Sequence, residues 1–160
     1  MAFNEDSRVK IPSILHLTRL GYSYLSLKKQ TWDTETNIFT DVFYKSLSKI
    51  NPDADLSEIE KVYKEIRLLL DNEDLGKAFY DRLVQEHDIK IIDFENFENN
   101  TFNVVTELTY KNGEEEFRPD VIVLINGIPL SFIEVKKPNN KNGMIEERNR
   151  MDKRFSNYKN

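Results

Sequence analysis

The sequence predicts an α/β domain, a mixed sheet flanked by helices and preceded by a helical N-terminal region, forming one unit over residues 1–160. Three observations carry that expectation. Apolar residues recur at three- and four-residue intervals as far as about residue 86, the period of a helix face. From residue 89 the pattern changes to runs rich in Val, Ile, Phe and Thr, which suit a pleated surface. Two of those runs, 119–126 and 129–136, are apolar on both faces and joined by Asn126-Gly127, as expected of strands covered from both sides. Residues 1–95 therefore form the mostly helical part, and 96–160 the core that bears this hairpin.

In chain order, Pro12 suits the first turn of a short helix in which Ile14, Leu15, Leu17 and Leu20 are the apolar positions, and Gly21 stops it. A second helix over 36–52 carries Phe39, Val42, Phe43, Leu47 and Ile50 on one side and ends at Pro52. A third begins after Asp55 or Ser57, with Ile59, Val62, Tyr63, Ile66, Leu69 and Leu70 inward, until Asn72–Asp74 break the pattern. The fourth, from about Leu75 to Glu86, buries Leu75, Phe79, Leu83 and Val84. Strands are expected at 89–94, 101–110, 119–126 and 129–136, with Asn112-Gly113 as a second hairpin turn. A last helix runs from about Met144 to Tyr158, and the chain then stops in mid-pattern, as a piece cut from a longer protein would.

Composition bounds the function. With 39% apolar and 32% charged residues the chain suits a soluble globular domain, and no apolar run approaches the roughly 18 residues of a membrane span. The absence of cysteine excludes disulfides and thiolate metal sites and, with no secretory signal visible, fits a reducing cytoplasm. A net charge of −5 argues against a protein that coats nucleic acid. The charge is uneven, however. Residues 136–160 carry +5 and the remainder −10, so a basic segment follows the hairpin and suits either a solvated helix or a face toward a polyanion.

The hairpin carries the chemistry. Glu134 and Lys136 are two apart and share a strand face. Asp120 joins them only if the turn has an odd length or the ladder contains a bulge. A plain two-residue loop would pair Asp120 with Ile133, whereas a one-residue shift pairs it with Glu134 and sets Ile122 against Phe132. If they converge, two carboxylates provide oxygen ligands for a hard cation such as Mg²⁺, with the Val135 carbonyl as a further ligand. Lys136 would orient or deprotonate an attacking water, or stabilise the developing charge. The alternative is a structural ion pair of little energetic consequence.

Pro119-Asp120, thirteen residues, then Glu134-Val135-Lys136 resembles the PD-(D/E)xK nucleases in spacing and hairpin context. The fuller text RPDVIVLINGIPLSFIEVKKP resembles the N-terminal nuclease domain of the R (restriction) subunit of type I restriction–modification enzymes. NTFNVVTELTYKNGEEEF and LTRLGYSYL extend the resemblance over most of the chain. It implies a restriction-endonuclease-like fold and Mg²⁺-dependent hydrolysis of double-stranded DNA. Asp120 and Glu134 match the metal-binding carboxylates, and Lys136 the catalytic lysine.

The family often places a Gln-x-x-x-Tyr motif on the following helix. Here Arg154 and Tyr158 occupy the matching positions, with Arg in place of Gln. Arg118 and Lys137 are further candidates for DNA contact, and Glu5 or Glu107 for an upstream acidic ligand. The resemblance also implies methyltransferase and specificity subunits as partners and an ATP-driven motor elsewhere. No GxxxxGK[ST] loop occurs in this chain, so ATP is not expected here, and an isolated fragment would be weak or inactive. Another repair or junction-resolving nuclease of this fold, or a non-catalytic docking domain, are the rival readings. His16 and His87 lack metal-type spacing, and Trp32 has no evident role.

Overall fold

The computed structural model describes residues 9–112, 115–136 and 142–156. Its helices are α1 (Ile11–Arg19), α2 (Thr40–Ile50), α3 (Leu56–Leu70), α4 (Lys77–Val84) and α5 (Gly143–Ser156). Its strands are β1 (Ser23–Tyr24), β2 (Phe102–Thr106), β3 (Tyr110–Asn112), β4 (Glu115–Phe117), β5 (Val121–Ile125) and β6 (Ile128–Ile133). Four strands form a mixed sheet in the order β1-β2-β5-β6, in which β1 runs parallel to β2 and the other neighbours are antiparallel. β3 and β4 form a separate ribbon, joined to the sheet through Phe117, whose ring meets Phe132 of β6 edge-on at 5.1 Å. This is the α/β class expected.

The helices begin and end for local reasons. Asp55 caps α3 by accepting from the Glu58 amide at 2.9 Å, while the Glu58 carboxylate accepts from the Asp55 amide at 2.9 Å. This reciprocal box satisfies two backbone donors that a helix start leaves free. Asp74 serves α4 similarly, accepting from the amides of Lys77 and Ala78. That helix starts at Lys77 because Leu75 and Gly76 both have positive φ, and it leaves Leu75 and Val84 exposed rather than buried. In α1 none of the apolar residues is fully buried, and Leu15, like Leu20 just after the helix, faces solvent.

Two apolar clusters lie against the sheet. Ile38, Phe43, Leu47, Ile59, Val62 and Ile66 gather α2 and α3 over Ile128, with Ile125 and Leu130 packed alongside. Phe39, Val105, Leu108, Ile122 and Leu124 form the second, joined by Leu25, Leu27 and Trp32. Successive residues of β5 thus feed different clusters, and that strand is covered on both faces. β6 is not. It ends the sheet, and its Ser131 and Phe132 are exposed. Trp32 stacks on Phe39 at 5.8 Å and so belongs to the core.

Two expected strands are corrected. Residues 89–94 form none, although Ile89, Ile91 and Ile92 are β-branched. Their backbone bonds run to side-chain amides instead: Lys90 N–H donates to Asn51 Oδ1, Asn51 Nδ2 to the Lys90 carbonyl, Asn126 Nδ2 to the Ile91 carbonyl, and Asp93 N–H to Asn100 Oδ1. Residues 101–110 are interrupted because Glu107 has a φ of 63°, which turns the chain from β2 into the β3–β4 ribbon. That ribbon pairs Asn112 with Glu115; Gly113 lies outside the described residues.

Candidate active site

The β5–β6 turn is fixed before the charged groups are placed. Asn126 and Gly127 both have positive φ, the backbone of a two-residue hairpin turn matched to sheet twist. Asn126 is fully buried. Its amide donates to the Thr101 carbonyl at 2.8 Å, its Oδ1 accepts from the Thr101 amide, and its Nδ2 donates to the Ile91 carbonyl and to Asn100 Oδ1, each at 2.8 Å. The Gly127 carbonyl accepts from the Phe39 amide at the start of α2. The turn is therefore locked on both sides.

From this anchor the ladder pairs Ile125 with Ile128 and Leu124 with Pro129, but Val123 with Ser131. Leu130 is left over, a bulge beside a proline that cannot donate to a ladder. Beyond it Ile122 opposes Phe132 and Val121 opposes Ile133. The shift that convergence requires is thus made by a bulge rather than a longer loop. Carried one residue further, it sets Asp120 opposite Glu134, and the Val135 amide donates to Asp120 Oδ2 at 3.0 Å.

The resulting cluster is crowded with charge. Burial raises the Glu134 carboxyl from 4.5 to about 7, aided by its hydrogen bond with Asp120 and by the charges of Asp120 and Glu147, while Lys136 opposes the rise. Lys136 Nζ lies 3.6 Å from Glu134 Oε2 and 3.0 Å from Glu147 Oε2. Burial pushes the Lys136 ammonium down, but its hydrogen bond to Glu147 and the charges of Glu147 and Glu134 outweigh this and leave it raised. Arg150 Nη2 lies 2.6 Å from Glu147 Oε1 and 4.0 Å from Glu134 Oε2.

Sequence reasoning missed Glu147 and Arg150. They are three apart on α5 and share its face, and the one available signal was an acidic residue just downstream of the Glu-x-Lys motif. Of the other candidates, Arg118 is exposed two residues before Asp120. Glu107 follows the residue that pairs with Val121, but its left-handed backbone leaves the sheet and its carboxylate binds Lys10 at 3.3 Å. Glu5, Lys137, Tyr158 and the side chain of Arg154 lie outside the described residues. His16 is exposed near the end of α1, and His87 is half-buried.

Among the described residues no group of three or more histidine, cysteine, aspartate or glutamate side chains is arranged to hold a metal ion as it stands. Glu147 is engaged by Lys136 and Arg150. The chemistry of Asp120 and Glu134 nevertheless fits a hard divalent cation. Both offer carboxylate oxygens, and their mutual repulsion, which contributes to the raised Glu134 carboxyl, is what such a cation relieves.

The family model described as "Type I restriction enzyme R protein N terminus" matches residues 2–160. A protein of Methanocaldococcus jannaschii named as the type I restriction enzyme MjaIXP endonuclease subunit is 35% identical over 161 aligned positions, covering 84% of this chain and 15% of the relative. The type I restriction enzyme HindI endonuclease subunit of Haemophilus influenzae is 26% identical over 117 positions, covering 63% of this chain and 11% of the relative. The chain thus spans a small part of the length of the relatives it matches. No helix among the described residues is long and apolar enough to cross a membrane. By the extent of that match, the chain belongs to the family of type I restriction enzyme R protein N-terminal regions.

Proposed function

We propose that this region is a DNA-cleaving domain of the PD-(D/E)xK kind, hydrolysing phosphodiesters of double-stranded DNA with Mg²⁺. The observation that carries the reading is the Leu130 bulge, which brings Asp120 opposite Glu134 and leaves Lys136 within 3.6 Å of Glu134. A hairpin built only for stability has no need to press two carboxylates and an ammonium together at a half-buried end.

Asp120 and Glu134 would hold the cation, with the Val135 carbonyl as a further ligand. When bound there, a divalent cation polarises the phosphodiester and favours the hydroxide form of water. Lys136 stays charged at neutral pH, because its acidic neighbours raise it. It therefore suits stabilising the charge that develops on the phosphate better than removing a proton. Arg118, Lys137, Arg154 and Tyr158 are proposed to contact the DNA, the basic ones through phosphate.

In the wider context we propose, this region cuts DNA in a cytoplasmic complex with methyltransferase and specificity subunits, after ATP-driven translocation by a motor in another part of the R subunit; its support is the match to type I restriction enzyme R protein N-terminal regions. The test is DNA cleavage by the full-length protein in Mg²⁺, comparing wild type with Glu134→Ala and Lys136→Ala. Both variants should lose activity by at least ~10²-fold. Cutting by both at the wild-type rate would remove the site. Loss of Mn²⁺ binding in Asp120→Ala separates a metal site from a docking domain that keeps the hairpin for structure.

A further inference from the structure

We propose that Glu147, on α5, is a positioning residue that holds Lys136 over the metal-binding carboxylates; the inference rests on the nuclease reading and adds a residue that the hairpin motif does not contain. Glu147 uses its two oxygens separately. Oε2 takes the Lys136 ammonium at 3.0 Å, and Oε1 takes Arg150 through Nε at 2.9 Å and Nη2 at 2.6 Å. The Glu147 side chain is only 13% exposed and that of Lys136 26%, whereas Arg150 is 56% exposed. The two inner groups are thus enclosed, and the arginine closes the cluster from outside.

Geometry explains why such a clamp is needed. Lys136 follows the end of β6, so no ladder bond fixes its backbone there, and its flexible four-carbon stem has many rotamers to lose. Glu134 approaches it only to 3.6 Å. The shorter contact comes from α5, and Arg150, one turn along the same helix, removes the freedom of Glu147 to turn away. Fixing the ammonium beforehand avoids ordering it during reaction, when a misplacement of about 1 Å can cost 10²-fold in rate. The docking of α5 therefore completes the site, and a partner or DNA strand that displaces α5 would loosen Lys136.

Two measurements on the full-length protein test this. In Mg²⁺-dependent DNA cleavage, Glu147→Gln should lower kcat roughly 10- to 100-fold while leaving KM for DNA and the Mg²⁺ requirement unchanged. Lys136→Ala combined with Glu147→Ala should be no worse than Lys136→Ala alone, because both disable one unit. Recovery of Glu147→Gln by added Mg²⁺ would overturn the proposal and make Glu147 a metal ligand. The second readout needs no catalysis. Acylation of lysines by an amine-reactive ester, followed by peptide mapping, should label Lys136 several-fold faster in Glu147→Gln than in wild type, with other lysines unchanged. Equal labelling would overturn the clamp. Faster labelling in a protein whose wild type cuts no DNA would preserve the clamp and sink the nuclease reading.

Discussion

The amide of Val135 donates to the carboxylate of Asp120 across 3.0 Å, fifteen residues apart in sequence. It joins two strand ends just beyond the last ladder pair, Val121 with Ile133. That bond is possible because Leu130 is left over in β6. Without the bulge and with the chain unchanged, Asp120 would face Ile133, and Glu134 would point to the opposite side of the sheet.

A test of this register follows from which residue is removed. Deleting Ser131, which is exposed, closes the bulge, keeps Leu130 in the core position and leaves Asp120 opposite Glu134. Cleavage and Mn²⁺ binding should stay within about tenfold of wild type, since the site's face is preserved. Inserting one alanine after Ser131 adds a residue that the locked Asn126-Gly127 turn cannot absorb, so both activities should disappear. Equal behaviour of the deletion and the insertion, with both folded by circular dichroism, would refute the register argument.

Metal-free stability should depend on pH through Glu134. Its carboxyl rises from 4.5 to about 7 on folding, so near pH 6 the folded chain keeps a proton that the unfolded chain has released. The stabilising contribution is complete below about pH 4.5 and is lost as pH climbs through 7. The size is on the order of 1–3 kcal/mol, or several degrees in Tm. In EDTA, wild type should therefore lose more Tm between pH 5 and pH 8 than Glu134→Gln, which cannot release that proton. Added Mg²⁺ should offset the loss by binding the folded, deprotonated site. Parallel Tm profiles for the two proteins would show that Glu134 titrates normally.

Much of this was legible because the relevant signals are local. Asp55 followed three residues later by Glu58 marks the start of α3, and Asn126-Gly127 between apolar runs marks the hairpin. The Leu130 bulge left no such mark beyond Pro129, because a bulge is chosen by what the neighbouring strand and core require. Residues 89–94 misled for the opposite reason. Their Ile-rich run has strand propensity, but Asn51 and Asn126, distant in sequence, and the nearby Asn100 take its backbone bonds. Glu147 was hidden because its role depends on where α5 docks, which no helical period encodes.

Asn126→Ala should be among the most damaging substitutions away from the charged cluster. It removes the acceptor of the Thr101 amide and the donor to the Ile91 carbonyl and Asn100, leaving buried polar groups unsatisfied at about 1–3 kcal/mol each. It also forces alanine into the left-handed region. A total loss of roughly 3–5 kcal/mol is expected in urea unfolding. Asn126→Asp should fall nearly as far, since a carboxylate cannot donate to Ile91. A loss below about 1 kcal/mol for Asn126→Ala would mean that the clasp contributes little.

Gly127→Ala tests the same turn by steric means. A Cβ there would meet the Phe39 carbonyl oxygen at 2.7 Å and the Phe43 amide nitrogen at 2.8 Å. Both are backbone atoms in the first turn of α2 and cannot rotate aside. The φ of 79° adds strain for any residue with a Cβ. The substitution should push the turn off α2 and cost several kcal/mol, as overpacking against a rigid wall does. Gly21→Ala is the control. Its φ is also positive, but nothing lies within 4 Å of the added carbon, so only the backbone strain of about 1 kcal/mol remains. Chemical denaturation of the two variants should therefore separate them clearly, with Gly127→Ala the weaker fold. Equal midpoints would mean that the contact with α2 yields, and that the hairpin is held by Asn126 alone.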